Sequence, residues 1–359
     1  MQSGEVGTVG GAAKATMLLC EALATAGAFV TLFVTLRPDE SVVARLKAKG
    51  VALRLPLIPV GWRKSLPQSA LAMQIWAEAL IRRPRFIHIT GFSGEARRLL
   101  RFPRAAPIFV WETTDAQPNN KFVDRSIDQV LGRAAAVLSP SQTIDANIRK
   151  TYQFRGRISR LPFWAEQPAE SDTSMSMKLR TETILYFGRL DVDKGFEYLL
   201  PAFARLRETH TRARLLICGG GDPSTIPGLV PSPDGVDVVG RVSEDRLDEL
   251  IRTADAVVLA SLHEGYPISL LEACARSAPV VATSVGSVPE IFGGRSCALL
   301  VPPRNAEALT RALATILDES DAAHEARRTD SRQLFEEISS TGVVNSMLTR
   351  AYALDSSSV

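Results

Sequence analysis

The 359-residue sequence contains no apolar run approaching the roughly 18 to 20 residues that a membrane-spanning helix requires. A spanning segment is therefore not expected. Cysteine is scarce: Cys20, Cys218, Cys274 and Cys297 stand singly among apolar neighbours. No C-x-x-C pair or His-rich cluster accompanies them, so buried free thiols are expected and a metal centre is not. The beginning, MQSGEVGTVGG, lacks the basic segment and apolar core of a secretory leader, which leads us to expect a cytoplasmic protein. No basic motif interleaved with aromatic residues is visible, so nucleic acid is not an expected partner.

What is present is enough chain for two domains of ordinary size. Short β-branched runs alternate with helix-like stretches, the pattern of parallel sheets covered by helices. In the first half FVTLFV, FIHIT, PIFVWET and AAVLSPS read as strands, with AAKATMLLCEALATAG and PQSALAMQIWAEALIRR as helices. In the second half ILYFG, RLLICG, VDVVG, AVVLAS, PVVATS and ALLVPP read as strands. The helices there are GFEYLLPAFARL, DRLDELIRTA and NAEALTRALATIL, the last with Asn305 as its expected N-cap. Expected boundaries are a first α/β domain over 1–165, a linker over 166–181, a second domain over 182–325, and a helical segment with a polar tail over 326–359.

Charge is divided between the halves. Up to residue 165 there are 23 Lys and Arg against 11 Asp and Glu, a net +12; beyond it there are 19 against 28, a net −9. The excess is concentrated in RRPRFIHITGFSGEARRLLRFPR, between Arg82 and Arg104. That stretch is either a solvated basic face or a contact for acidic lipid head groups or a phosphorylated acceptor.

Binding a nucleoside diphosphate takes cations for the phosphates, close backbone approach, and a carboxylate for the ribose diol. In ILYFGRLDVDKGFEYLL a strand ends in Gly188, followed by Arg189, and Lys194 and Gly195 open the next helix. Loops leaving the carboxyl ends of parallel strands are where such folds bind ligands. In AVVLASLHEGYPISLLEACA, Glu264 stands at a strand end and Glu272 about one turn inside a helix beginning near Ile268. That helix end carries unsatisfied N–H groups and a positive dipole. Asp191-Val192-Asp193 has the form of a metal-binding D-x-D triplet, while CGGGD, with no G-K-[ST] after it, does not form an ATPase phosphate loop.

These motifs occur together and in order from Thr183 to Leu317, joined by VVGRVSEDRLDELIRTADAVVLAS and EACARSAPVVATSVGSVPEI. The run resembles the donor domain of the retaining glycosyltransferases of family four, whose architecture, called GT-B, is two Rossmann-like doubly wound domains facing a cleft. The resemblance implies that Arg189 and Lys194 clamp the diphosphate, that Glu264 touches the transferred sugar, and that Glu272 bonds the ribose hydroxyls. It also implies that Gly188 and the amides of Gly265, Tyr266, Pro267 and Ile268 line the donor, with Arg241 and Val242 at the nucleobase. No metal or other cofactor is called for, so the D-x-D triplet is not expected to bind one.

The first half resembles the acceptor-side domain. Gly10 and Gly11 match the loop that approaches the donor phosphate, although the strand normally preceding such a loop is not evident. Where the family often carries a histidine, this chain has Glu112, Thr113 and Thr114. His88, Glu112 and Thr113 are the candidates for the acceptor cleft; His88, inside a strand, equally suits a core role, and Glu112 a capping or salt-bridge role.

The expected function is metal-independent, retaining transfer of a sugar from a UDP- or GDP-sugar to a lipid-linked or polysaccharide acceptor, with contact to an anionic inner membrane face. A GT-B epimerase or phosphorylase shares the lobes but not the motif combination. A nucleotide-sugar-binding pseudo-enzyme would fit the missing histidine.

Overall fold

The computed structural model describes residues 11–34, 40–54, 66–92, 94–116, 125–166 and 180–352. Gly10 and residues 167–179 of the expected linker lie outside these. The chain forms two compact units, one of residues up to Phe163 together with those from Thr341 onward, the other Trp164–Ser340.

In the first unit, helices alternate with strands from α1 (Gly11–Thr25) and β1 (Thr31–Phe33) through α2 (Glu40–Ala48) and β2 (Ala52–Arg54). They continue with α3 (Leu66–Arg82), β3 (Ile87–Thr90), α4 (Gly94–Arg101), β4 (Ile108–Trp111), α5 (Asp128–Leu131), β5 (Ala136–Ser139), α6 (Gln142–Thr151) and β6 (Ile158–Arg160). β1 and β2 pair in parallel; β3, β4, β5 and β6 form a parallel sheet in chain order. β4 and β5 are buried along their whole length, as continuous apolar runs between two layers of helices should be. Trp111, fully enclosed, donates Nε1–H to the Leu161 carbonyl at 3.0 Å and meets Phe163 edge-on.

The second unit has a six-stranded parallel sheet of order β12-β11-β10-β7-β8-β9. Its strands are β7 (Thr183–Phe187), β8 (Arg214–Cys218), β9 (Val236–Gly240), β10 (Ala256–Leu259), β11 (Val280–Thr283) and β12 (Ala298–Val301). α7 (Phe196–Arg207), α8 (Glu244–Thr253), α9 (Ile268–Ala275), α10 (Val288–Phe292), α11 (Ala306–Asp318) and α12 (Asp321–Ser339) accompany it. Asn305 caps α11, its side chain accepting from Ala308 N–H at 2.9 Å. The chain then returns: α13 (Thr341–Tyr352) belongs to the first unit. Tyr352 stacks on Phe86 at 4.5 Å and meets Phe109 edge-on at 5.0 Å.

All four cysteines are free and buried; burial and the neighbouring Glu21 carboxylate push the Cys20 thiol up to about 12. Among the described residues no helix is long and apolar enough to cross a membrane.

Candidate active site

Because every strand of the second sheet is parallel, β7, β8, β9, β10 and β11 release their loops on one edge. Those loops carry the residues predicted for the donor, and backbone contact locks them together. Gly188 N–H donates to the Cys218 carbonyl at 3.0 Å and Leu190 N–H to that of Gly220 at 2.8 Å, so the G-R-L loop lies along the glycine run after β8. Gly219, at φ +147°, passes so close that an added Cβ would sit 1.7 Å from the Gly188 carbonyl oxygen. A larger residue there would force the two loops apart. Gly195, at φ +70°, opens α7 against the Ala260 carbonyl, which an added Cβ would meet at 2.0 Å.

This interlock brings together two residues 70 positions apart. Lys194 Nζ lies 2.6 Å from Glu264 Oε1, which also accepts from Ser261 Oγ at 2.7 Å. Both side chains of the pair are mostly buried, so their attraction is only partly screened. Arg189 is exposed, with Asp191 at 3.4 Å, and its carbonyl accepts from Tyr186 O–H at 2.7 Å. Asp191 also accepts from Asp193 N–H, fixing the turn before Lys194. The first member of the D-x-D triplet is thus engaged in the loop itself. Among the described residues no group of three or more His, Cys, Asp or Glu is placed to hold a metal ion.

Glu264 is followed by Gly265 and by Tyr266, Pro267 and Ile268, all three buried, which lead into α9. Pro267 is the N-cap and offers α9 no side-chain hydrogen bond; Ile268 N–H donates to the Tyr266 carbonyl and Leu270 N–H to the Pro267 carbonyl, each at 3.0 Å, so backbone carbonyls engage these first-turn amides. Glu272 is buried on α9 at 8% exposure. Arg241 follows β9, its guanidinium against Gly220, with Val242 beside it. Sequence reasoning did not single out Ser261, Gly286 or Ser287. Gly286 packs on the Glu264 carbonyl, and Ser287 Oγ donates to the Gly265 carbonyl at 2.6 Å. Small residues at successive strand ends were the available signal.

In the first unit, Gly11 begins α1 and is exposed. One turn on, Thr16 Oγ1 lies 2.8 Å from the Ala12 carbonyl and 2.9 Å from Thr90 Oγ1. Thr90 Oγ1 is 3.3 Å from His88 Nε2, and His88 Nδ1 is 2.6 Å from the Tyr352 hydroxyl. His88 therefore joins β3 to α13, and burial lowers its pKa to about 3. At the carboxyl end of β4, Glu112 is 1% exposed. Its Oε1 accepts from Thr113 N–H, Thr114 N–H and Thr114 Oγ1, while Oε2 is buried without a partner. Burial raises its pKa, the bonds from Thr114 and Thr113 opposing the effect. Thr113 Oγ1 faces Gly91, next to Thr90.

Residues 172–332 match the family described as Glycosyl transferases group 1, and residues 10–164 match the Glycosyl transferase 4-like domain. This chain belongs to the group 1 glycosyltransferases of the family 4 type. The two matches account for most of the chain and meet near the border between the units.

Relatives of this chain include the uncharacterized glycosyltransferase MJ1607 of Methanocaldococcus jannaschii, 35% identical over 38% of this chain and 36% of that protein. Another is the putative teichuronic acid biosynthesis glycosyltransferase TuaC of Bacillus subtilis, 28% identical over 53% of this chain and 48% of that protein. The matches thus span about a third to a half of these relatives. Among solved structures, the sucrose-phosphate synthase of Thermosynechococcus elongatus superposes with a TM-score of 0.75 at 21% identity, covering 97% of this chain and 94% of that one. Anabaena Alr3699/HepE, solved in complex with UDP and glucose, gives 0.74 at 14% identity, covering 99% and 98%. The chain therefore has the GT-B fold of two Rossmann-like domains expected from its sequence.

Proposed function

We propose that this glycosyltransferase moves a sugar from a UDP- or GDP-sugar, with retention of configuration and without a metal ion, to a lipid-linked or polysaccharide acceptor. The observation that carries the reading is the Lys194–Glu264 pair, held at the carboxyl edge of a parallel sheet by backbone contact between their loops. The ammonium is fixed before a ligand arrives. In the reaction the anomeric C–O bond to the β-phosphate breaks, and negative charge grows on the departing diphosphate. Lys194 and Arg189 would stabilise that charge, more in the transition state than in the bound donor. Glu264 would release the ammonium to the phosphate and accept from a sugar hydroxyl. Gly188 and the stretch from Gly265 to Ile268 would pass close to the donor, Glu272 would take the ribose diol, and Arg241 and Val242 would border the base. Gly10 and Gly11 would approach the phosphates from the first unit's sequence.

The acceptor oxygen forms the new bond on the face the diphosphate leaves, and its proton passes to a diphosphate oxygen. No enzyme base is required for that step. His88, tied to Tyr352 and Thr90, would hold the acceptor-side framework, and Glu112 with Thr113 would contact the acceptor. The basic first half would bring the protein to an anionic membrane face in the cytoplasm. The bound UDP and glucose of Anabaena Alr3699/HepE support a nucleotide-sugar donor.

Nucleoside diphosphate release and product anomer are measured over a panel of UDP- and GDP-sugars with Lys194→Ala and Glu272→Ala. We expect Lys194→Ala to lower kcat by about 10²- to 10³-fold, as when an oxyanion donor is removed. Transfer unchanged in both variants would refute the site.

A further inference from the structure

The four parallel strands β3 to β6 place all their entering connections on one edge, opposite the carboxyl ends that bear Gly91 and Glu112. Those connections are residues 83–86, 102–107, 132–135 and 152–157, and they contain six arginines and not one Asp or Glu. Arg83 and Arg85 precede β3, Arg104 precedes β4, Arg133 precedes β5, and Arg155 and Arg157 precede β6; all are exposed. The last turns of the preceding helices add exposed Arg82, Arg101, Arg149 and Lys150. With strands about 4.8 Å apart, this row of charge extends roughly 15 Å along the edge.

Helix termini account for part of it. α3, α4, α5 and α6 all end here, and each C-terminus carries about −0.5 charge, or about −2 in all. Arg82 is further balanced by Glu78 at 3.2 Å. Ten cations far exceed that need. Apolar groups share the edge: Leu80 and Ile81, in the last turn of α3, are 48% and 81% exposed. Aromatic stacking surface is lacking, because Phe86 and Phe102 are partly buried and Tyr152 and Phe154 fully so. Single-stranded nucleic acid binds through such aromatics. A bilayer with anionic head groups instead rewards cations flush with exposed aliphatic side chains.

We propose that this amino edge of the first unit's sheet is a docking surface for an anionic lipid bilayer, with Ile81 and Leu80 entering the head-group layer and the loop arginines pairing with lipid phosphates. It deepens the membrane part of the proposed function and names a face that the Arg82-to-Arg104 charge run does not by itself identify, since Arg133, Arg155 and Arg157 complete it.

The test is flotation of the intact protein with vesicles of phosphatidylcholine alone and with vesicles partly replaced by phosphatidylglycerol. Wild type is expected to float only with the anionic vesicles and to be released by salt. The triple variant Arg83→Gln, Arg104→Gln, Arg155→Gln, at exposed positions, is expected to lose about a hundredfold in partition, about fivefold per charge. Ile81→Ser is expected to weaken partition about tenfold at unchanged salt dependence, since a buried CH₂ contributes roughly fourfold. Equal recovery with both vesicle types, or a triple variant that floats like wild type, overturns the assignment. Capture on single-stranded oligonucleotide beads as strong as on vesicles, and indifferent to Ile81→Ser, overturns it too. Nucleoside diphosphate release from a soluble donor, followed on the same samples, reports separately on the transferase reading.

Discussion

His88 shows how a residue can be singled out for chemistry and yet be held by structure. Its ring is committed at both nitrogens, to Tyr352 and to Thr90, and burial lowers its pKa to about 3 from an ordinary value near 6.5. Between those values the unfolded chain binds a proton that the folded chain does not. Its contribution to stability is therefore complete above pH 6.5 and is lost as pH falls toward 3, at up to about 1.4 kcal/mol per pH unit. In denaturant unfolding, the stability gap between wild type and His88→Asn is expected to narrow with that slope below pH 6.5. A gap independent of pH would mean that His88 is not enclosed as described. Glu112, in contrast, uses only one carboxylate oxygen. The other, buried and unpartnered, is costly unless a proton or a ligand hydroxyl joins it. The contact of His88 was not legible in the sequence, because Tyr352 lies 264 residues away and no local spacing relates them, whereas the partners of Glu112 are its immediate neighbours and a capping role was open to it from the sequence.

Secondary-structure elements were read more easily where the pattern is long. Apart from β9, which Asp237 interrupts, the second unit's strands are largely apolar runs between polar turns, and α11 has both its periodicity and its cap. Asn305→Ala removes the bond to Ala308 N–H and is expected to cost about 1 kcal/mol in chemical denaturation. β2 and β6, three residues each, and α4, with the polar sequence GEARRLLR, are too short or too polar to announce themselves. The motif residues Arg189, Lys194, Glu264 and Glu272 could be picked out, but that Lys194 and Glu264 touch depends on Gly195 fitting beneath Ala260. Gly195→Ala puts a side chain at φ +70° and a Cβ 2.0 Å from a carbonyl oxygen. Strain and overpacking together are expected to destabilise by at least about 2 kcal/mol. Thermal melts of the variant should show the loss, and a variant as stable as wild type would deny the close approach.

At the scale of the molecule, the chain crosses from its first unit to its second and returns with α13. The sequence announced a helical end without saying which unit it completes, since amphipathic spacing gives a face and not its partner. Val344, Met347, Leu348, Ala351 and Tyr352 of α13 are buried. Truncation after Ser340 is therefore expected to make the first unit protease-sensitive while the second, whose sheet is complete, survives as a resistant fragment. Limited proteolysis with mass spectrometry would check this; equal resistance in both units would contradict it.

The backbone contacts among the loops bearing Gly195, Gly219 and Gly286 also bear on how such a protein can diverge. Each glycine is fixed by a carbonyl of another loop, so an insertion in one would displace two. Lengthening any of these loops should cost the fold before it yields a new preference. On the proposed function, divergence in ligand choice would be left to exposed side chains carried on this framework, such as Arg241, which can change without moving the chain that carries them.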